Sequence, residues 1–187
     1  DITVADVIAS DDQLSTSSSV YIDENGITIK AKESAESGNE VLVNGEQYII
    51  VDEEMLREMV NNGEDLSKVI TSKIFNMGEL FKGKPINGNI SRWDVSNVDF
   101  MHSMFMDTSF NQDISAWDVS NVYQFSQMFL NSTFNQDISA WDVTKSGNLI
   151  NGEVSNNLGN HPVAFAAMFK NSAFNQDISA WDVSRSS

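Results

Sequence analysis

The sequence contains no cysteine, and only two of its 187 residues are proline. The absence of cysteine excludes disulfide bonds, thiolate metal ligands and a cysteine nucleophile. No run approaches the ~18 apolar residues that a membrane-spanning helix needs, so direct insertion into a membrane is not expected. With 41% hydrophobic and 20% charged residues, the composition is that of a folded protein rather than a disordered one.

Basic residues are also few, with 11 Lys and Arg against 27 Asp and Glu, which gives a formal net charge of −16. Residues 1–65 hold 16 of the acidic residues and only 3 of the basic ones. The sequence has no basic stripe that could neutralise phosphates, which argues against a nucleic-acid partner. An acidic surface also argues against docking on anionic lipid.

Motifs of common enzymes are missing as well. The sequence has no G-x-S-x-G elbow and neither of the glycine-rich phosphate-binding motifs. The two histidines, His102 and His161, lack the spacing of a zinc site. We therefore predict that the protein is not an enzyme and that it uses no cofactor.

The sequence does contain a repeat of about 24 residues. The segment FNQDISAWDV occurs at residues 110–119, 134–143 and 174–183, and a diverged copy, INGNISRWDV, occurs at 86–95. A Met-Phe pair recurs at residues 104–105, 128–129 and 168–169. The last interval of 40 residues is one repeat plus an insertion, which we place at residues 145–160. The four tryptophans share one repeat position: Trp93, Trp117, Trp141 and Trp181.

A period in the low twenties is typical of solenoids whose coils each supply one strand and a short helical or 3₁₀ return. We therefore predict a leucine-rich-repeat-like repeat solenoid with one parallel β-sheet. The strand is expected on FNQDISAW, and the return should end at the Met-Phe pair. The tryptophans should form one column of side chains, and the strand isoleucines should form another: Ile90, Ile114, Ile138 and Ile178.

Three regions are expected along the chain. Residues 1–20 are linker-like, residues 21–65 form a small α+β N-terminal cap, and residues 66–187 form the repeat array. Within the cap, Asn44 and Gly45 predict a tight β-hairpin turn, because both central residues of a type I′ turn need positive φ. A helix should begin after Asp52, and Gly63 is a natural terminator for it.

Recurrent aspartates and tryptophans each allow two interpretations. Asp113, Asp137 and Asp177 could hold Ca²⁺ through their oxygens, or each could cap a turn through its own backbone. We favour turn capping, because the loop patterns of calcium-binding repeats are missing. The tryptophans could form a carbohydrate-binding platform or pack inside the array, and packing is favoured.

Positions that vary between repeats are the better candidates for recognition. Asp99 and Phe100 in one repeat correspond to Tyr123 and Gln124 in the next. The insertion offers further polar candidates: Asn148, Asn151, Glu153 and Asn156. We therefore predict a binding surface made of these eight residues.

The units FNQDISAWDVSNVYQFSQMF and INGNISRWDVSNVDFMHSMF resemble the BspA-like surface-protein repeats of mycoplasma lipoproteins and Bacteroidetes. The resemblance covers roughly residues 40–187. It implies a leucine-rich-repeat-like solenoid on a cell surface or outside the cell, with adhesion or binding to a protein or glycan on another surface. The family has no shared catalytic residues.

A structural spacer or assembly subunit of a larger extracellular complex is the alternative function. The sequence stops after the predicted strand of a repeat and before any Met-Phe pair. An unpaired strand edge there would be a template for further pairing, so self-association through the C-terminal edge is possible.

Overall fold

The computed structural model describes residues 19–147 and 164–184. Its elements are β1 (Val20–Ile22), β2 (Ile29–Ala31), β3 (Glu40–Val43), β4 (Glu46–Ile50), α1 (Glu53–Asn62) and β5 (Val69–Ile70). Strands β1 and β2 form a two-stranded antiparallel sheet. The second sheet has the order β3-β4-β5, in which β4 pairs antiparallel with β3 and parallel with β5.

The predicted hairpin at Asn44 and Gly45 is confirmed. These two residues connect β3 to β4 with φ angles of 53° and 79°, the left-handed conformation that glycine and asparagine tolerate. The inward side chains of β3, Val41 and Val43, are buried, and Leu42 between them is exposed. The hairpin therefore covers the core with one face only, as an alternating strand should.

Helix α1 begins and ends where its sequence predicts. The Asp52 side chain accepts a hydrogen bond from the amide of Met55 at 3.0 Å, and Gly63 ends the helix with a φ of 70°. Leu56 and Val60 are buried in the same hydrophobic core as the first repeats. The helix thus closes the N-terminal end of the repeat core.

The predicted fold class is wrong. The described residues contain small antiparallel and mixed sheets and one helix, and no parallel repeat sheet of a leucine-rich-repeat-like solenoid is seen. The segment FNQDISAW forms no strand, because two local hydrogen bonds turn the chain. The amide of Ser115 donates to the side chain of Asp113, and the amide of Trp117 donates to the carbonyl of Ile114. The stretch ending in Met-Phe forms turns rather than a helical return, because left-handed residues such as Ser103 and Asp107 interrupt it. Parallel pairing between the repeats is limited in the described residues to two isolated bridges.

Adjacent repeats nevertheless contact each other closely. Phenyl rings from successive repeats lie nearly parallel, with centroids 5.7 Å apart for Phe81 and Phe105 and 5.6 Å for Phe105 and Phe129. The predicted burial of the isoleucine and tryptophan columns is confirmed for the first three members of each. The last members, Ile178 and Trp181, are partly buried. The fully buried isoleucines are Ile90, Ile114 and Ile138. Stacked side chains and backbone hydrogen bonds, such as that from the amide of Met77 to the carbonyl of Phe100, therefore both connect neighbouring repeats.

Candidate functional site

The predicted binding residues of the regular repeats lie side by side on the structure. The amide of Asp99 donates to the carbonyl of Phe75, and the amide of Tyr123 donates to the carbonyl of Asp99, each at 2.8 Å. One residue further along the chain, Phe100 bridges to Asn76 and to Gln124. We call these six positions the variable strip: Phe75, Asn76, Asp99, Phe100, Tyr123 and Gln124. The repeat thus brings together residues that are 24 positions apart in sequence.

Exposure separates the variable strip from its neighbours in sequence. Phe75 is 59% exposed, and Asp99 and Tyr123 are half-buried. The residues that follow the strip in each repeat, Met77 and Met101 among them, are fully buried. The strip therefore lies on the outside of the repeat core, where its side chains can contact another molecule.

Charge is present at one end of the variable strip. The ammonium group of Lys145 lies 5.2 Å from the centre of the Tyr123 ring and donates to the side-chain oxygen of Asn121. Burial raises the pKa of the Asp99 carboxyl, and the positive charge of Lys145 acts in the opposite direction. The surface therefore combines aromatic area, a carboxyl group, a phenol and an ammonium group. These groups can stack on an apolar or planar ligand group and form hydrogen bonds around it.

The other predicted binding residues lie outside the described residues: Asn148, Asn151, Glu153 and Asn156. Sequence reasoning missed Phe75, Asn76 and Lys145. The first two could have been found by counting back 24 residues from Asp99 and Phe100. Lys145 was assigned to the insertion, yet it lies beside Tyr123.

The side chains of Trp93, Trp117 and Trp141 pack inside the array and form no surface platform. Trp93, Trp117 and Trp141 are between 1% and 4% exposed. Each indole N–H donates to a backbone carbonyl of the preceding repeat, for example from Trp117 to Ile90 at 3.3 Å. A buried indole needs such a partner for its N–H. The favoured interpretation, packing, is therefore confirmed for these three.

The recurrent aspartates act on their own turns. Asp113, Asp137 and Asp177 each accept a hydrogen bond at 2.9 Å from the amide of the serine two residues ahead. These bonds hold the pKa of each carboxyl below its ordinary value. Within residues 19–147 and 164–184, no group of three or more His, Cys, Asp or Glu side chains could hold a metal ion. The geometry supports turn capping at these positions.

A histidine of the second repeat packs directly on a glycine of the first. A Cβ atom at Gly78 would lie 2.1 Å from Cε1 of His102, so the imidazole occupies space that only glycine leaves free. The Nδ1 atom of His102 is buried and has no hydrogen-bond partner among the described residues. Burial lowers the pKa of this imidazole, and the nearby Glu79 carboxylate acts in the opposite direction. The neutral imidazole is therefore the favoured form at neutral pH.

In the described part of the chain, no helix has the length and apolar character that crossing a membrane requires. The profile of a family described as "Mycoplasma protein of unknown function, DUF285" matches residues 53–161 and 148–187. Comparisons with curated proteins and with solved structures found no match. The two matched ranges together take in more than half of the 187 residues, including α1, β5 and every described repeat. The chain therefore belongs to the DUF285 family of mycoplasma proteins of unknown function.

Proposed function

We propose that this chain is a non-enzymatic binding or adhesion module, on a cell surface or secreted, of the BspA-like type. Its ligand is a protein or glycan on another surface, and the variable strip makes the contact. The observation that carries the proposal is a difference between the constant and the variable positions of the repeat. The large apolar side chains that are constant between the regular repeats are buried, and the constant aspartates cap their own turns. The positions of the strip are exposed or half-buried, and their residues differ from repeat to repeat.

The chemistry of the variable strip supports recognition rather than catalysis. Aromatic side chains that are exposed on a rigid scaffold supply large contact area at a low cost in conformational entropy. Phe75 and Tyr123 provide this area, and Asp99 and Lys145 provide polar groups of opposite charge near them. By contrast, the recurrent Asp and Trp side chains already have structural partners. They are therefore occupied within the fold.

The proposal is tested with glycan and protein arrays that are probed with the full chain and with the double variant Phe75→Ala/Tyr123→Ala. We expect the double variant to lose at least about tenfold in affinity for every specific ligand, since central aromatic contacts are frequent hot spots. Tyr21→Ala is the matched control, because Tyr21 is 46% exposed and lies on β1, outside the variable strip. Ligands that bind the double variant as tightly as the unaltered chain would refute the strip as the binding surface.

A spacer or assembly subunit is the second candidate function. The specific observation in its favour is the apolar surface of the last described repeat, where Phe169 and Trp181 are only partly buried. In that case the arrays would return no specific ligand, and association through the C-terminal end would remain. The two functions are therefore separated by which variants abolish binding, those of the strip or those of the end.

A further inference from the structure

One position of the repeat carries a different side chain in each of the first three units, which have Gly78, His102 and Ser126 there. The backbone beside this position is paired in the same way at both contacts. The amide of Glu79 donates to the carbonyl of His102 at 2.8 Å, and the amide of Ser103 donates to the carbonyl of Ser126 at 2.9 Å. We call these two contacts the first junction and the second junction. The first therefore holds an imidazole where the second holds a serine side chain.

The imidazole of His102 fills the space that Gly78 leaves free. A Cβ atom at Gly78 would lie 2.1 Å from Cε1 and 2.6 Å from Nδ1 of the ring, so the ring lies against the glycine backbone. Nδ1 is buried there and has no hydrogen-bond partner among the described residues. The carbonyl of Gly78 already accepts from the guanidinium group of Arg57 at 3.3 Å. A neutral ring with its proton on Nε2 therefore fits this space without burying an unpaired N–H.

Protonation removes that solution, because an imidazolium ring carries an N–H on both nitrogens. A proton on Nδ1 of His102 would be buried without an acceptor, and a buried donor with no partner is unfavourable. Outside the space at Gly78, the same N–H can donate to water. The protonated ring is therefore more stable away from Gly78 than against it.

Burial is the largest influence on the pKa of His102, and it lowers this pKa. The charged groups that act on the ring lie on α1 and on the first repeat. The carboxylate of Glu79 favours the protonated form, whereas Arg57 and Lys82 oppose it. Glu79 is itself paired with Lys82, whose Nζ lies 2.7 Å from its Oε1. The third repeat has Ser126 at the corresponding position, which does not titrate.

We propose that His102 makes the first junction sensitive to acid: on protonation the imidazole leaves Gly78, and the backbone pairing beside it opens. The bonds affected are those from the amide of Met77 to the carbonyl of Phe100 and from the amide of Glu79 to the carbonyl of His102. The empty space at Gly78 removes packing contacts from both sides of the junction. The second junction has no imidazole and does not respond.

The first junction also holds two members of the variable strip together, since Asn76 and Phe100 form a bridge across it. Opening of the junction separates Phe75 and Asn76 from the rest of the strip. An effect of acid on ligand binding rests on the function proposed above, whereas the acid sensitivity of the junction does not.

The direction of the pH dependence follows from where the proton binds. In the open junction the ring meets water and its pKa returns toward the ordinary value, whereas in the closed junction burial keeps it lower. The open form therefore binds more protons. The closed form is favoured above the open-form pKa, and this advantage is lost as pH falls toward the closed-form pKa. One unit of difference between the two pKa values changes the opening equilibrium about tenfold.

The experiment measures amide hydrogen exchange of the full chain at about pH 7 and about pH 5, on either side of the ordinary histidine pKa. Each rate is divided by that of an unstructured peptide at the same pH. We expect the protection of the Met77 and Glu79 amides to fall by about three- to tenfold at the lower pH. The amide of Ser103 at the second junction is the internal control, because titration elsewhere that destabilises the whole chain lowers the protection of both junctions. Equal changes at Glu79 and Ser103 would overturn the proposal.

Two variants test whether the imidazole is the cause. His102→Ser gives the first junction the side chain of the second, and the protection of the Glu79 amide should then be the same at both pH values. Glu79→Gln removes the carboxylate that favours the protonated ring, and Gln127 holds the same position, also with a positive φ, in the third repeat. In this variant the ring of His102 should titrate at a lower pH than in the unaltered chain.

Proton NMR of the imidazole Cε1–H follows the titration, and the signal of His102 is the one that His102→Ser removes. A pH-dependent protection of Glu79 that persists in His102→Ser would overturn the proposal. So would a ring that titrates in the folded chain at the same pH as in the urea-unfolded chain, or a midpoint that does not fall in Glu79→Gln.

Discussion

Replacing a buried isoleucine in the middle of the array should cost far more stability than the same replacement in the last repeat. Ile114 is fully buried, and Ile178 occupies the same repeat position in the last described repeat, where it is partly buried. Both lie within the identical segment FNQDISAWDV. Local propensity and the unfolded-state contribution are therefore closely matched, and the difference between the two variants reports burial.

The magnitude follows from the atoms removed. Ile→Ala deletes three carbon groups, and at about 0.8 kcal/mol for each buried group the transfer loss at Ile114 is about 2.4 kcal/mol. A residual cavity of about 50 Å³ would add about 1.2 kcal/mol at about 24 cal/mol per Å³. We expect Ile114→Ala to lower the free energy of unfolding by about 2–4 kcal/mol. Ile178→Ala should lower it by about 1 kcal/mol, because part of that side chain already meets solvent.

The assay is urea unfolding followed by circular dichroism and by tryptophan fluorescence, with coincident transitions as the test of two-state behaviour. Ile138→Ala is the internal control, because Ile138 is also fully buried within the same ten-residue segment. It should match Ile114→Ala. Equal losses at Ile114 and Ile178, within about 0.5 kcal/mol, would refute the difference in burial between the two positions. Losses below about 1 kcal/mol at both Ile114 and Ile138 would show that the isoleucine column is not the core of the array.

Three further predictions concern contacts between and within repeats. Gly78→Ala should destabilise the chain, because its Cβ would collide with the ring of His102. Adding His102→Ser should restore most of the lost stability. If Gly78→Ala costs the same free energy of unfolding with His102 as with Ser at position 102, the collision is refuted. Arg57 donates to the backbone carbonyls of Asn76 and Gly78, and Arg57→Lys should lower the free energy of unfolding by about 1 kcal/mol, because a lysine cannot reach both. Glu53→Gln, which removes the half-buried ion pair with Arg57, should change the free energy of unfolding by no more than about 0.5 kcal/mol. The pKa of Asp113 is lower in the folded chain than in the unfolded one, so this carboxylate contributes stability above its unfolded pKa, and that contribution is lost as pH falls through the folded pKa. In Asp113→Asn the amide oxygen can still cap the turn but does not titrate. Between about pH 5 and about pH 3 this variant should therefore lose less stability than the unaltered chain does. Asp113→Ala should be less stable than the unaltered chain at neutral pH as well, and urea midpoints across this range measure both effects.

The sequence predicted the positions of burial better than the form of the backbone. The 24-residue interval placed Trp117 and Ile114 correctly in the core, because a residue that recurs in every repeat must fit against its own counterparts. Turn capping was favoured at Asp113, yet a strand was still expected over the same segment, and the structure has the turn alone. Apolar spacing alone does not separate an extended segment from a series of tight turns with the same residues inside. The left-handed conformation of Ser103 has no strong sequence signal, since serine rarely adopts it.

The candidate site was predicted in part, for a related reason. Comparing repeats identified Asp99 and Tyr123 as variable, but which variable residues are exposed depends on how the repeats face one another. Phe75 belongs to the same column, yet the weaker similarity of the first repeat hid it. The bonds from Arg57 to the carbonyls of Asn76 and Gly78 could not be predicted from the sequence, since they depend on where α1 packs against the first repeat.

The pairing of His102 with Gly78 has a consequence for the order of the units along the chain. The corresponding residues of the next two repeats are Ser126 and Ala166. A unit that carries the imidazole fits only behind a unit with no side chain at that position, so exchanging the second and third units would place the ring against a serine. Near-identical units are therefore not interchangeable parts. Recombination among them, which their sequence similarity would favour, is restricted at this junction by a clash between neighbours.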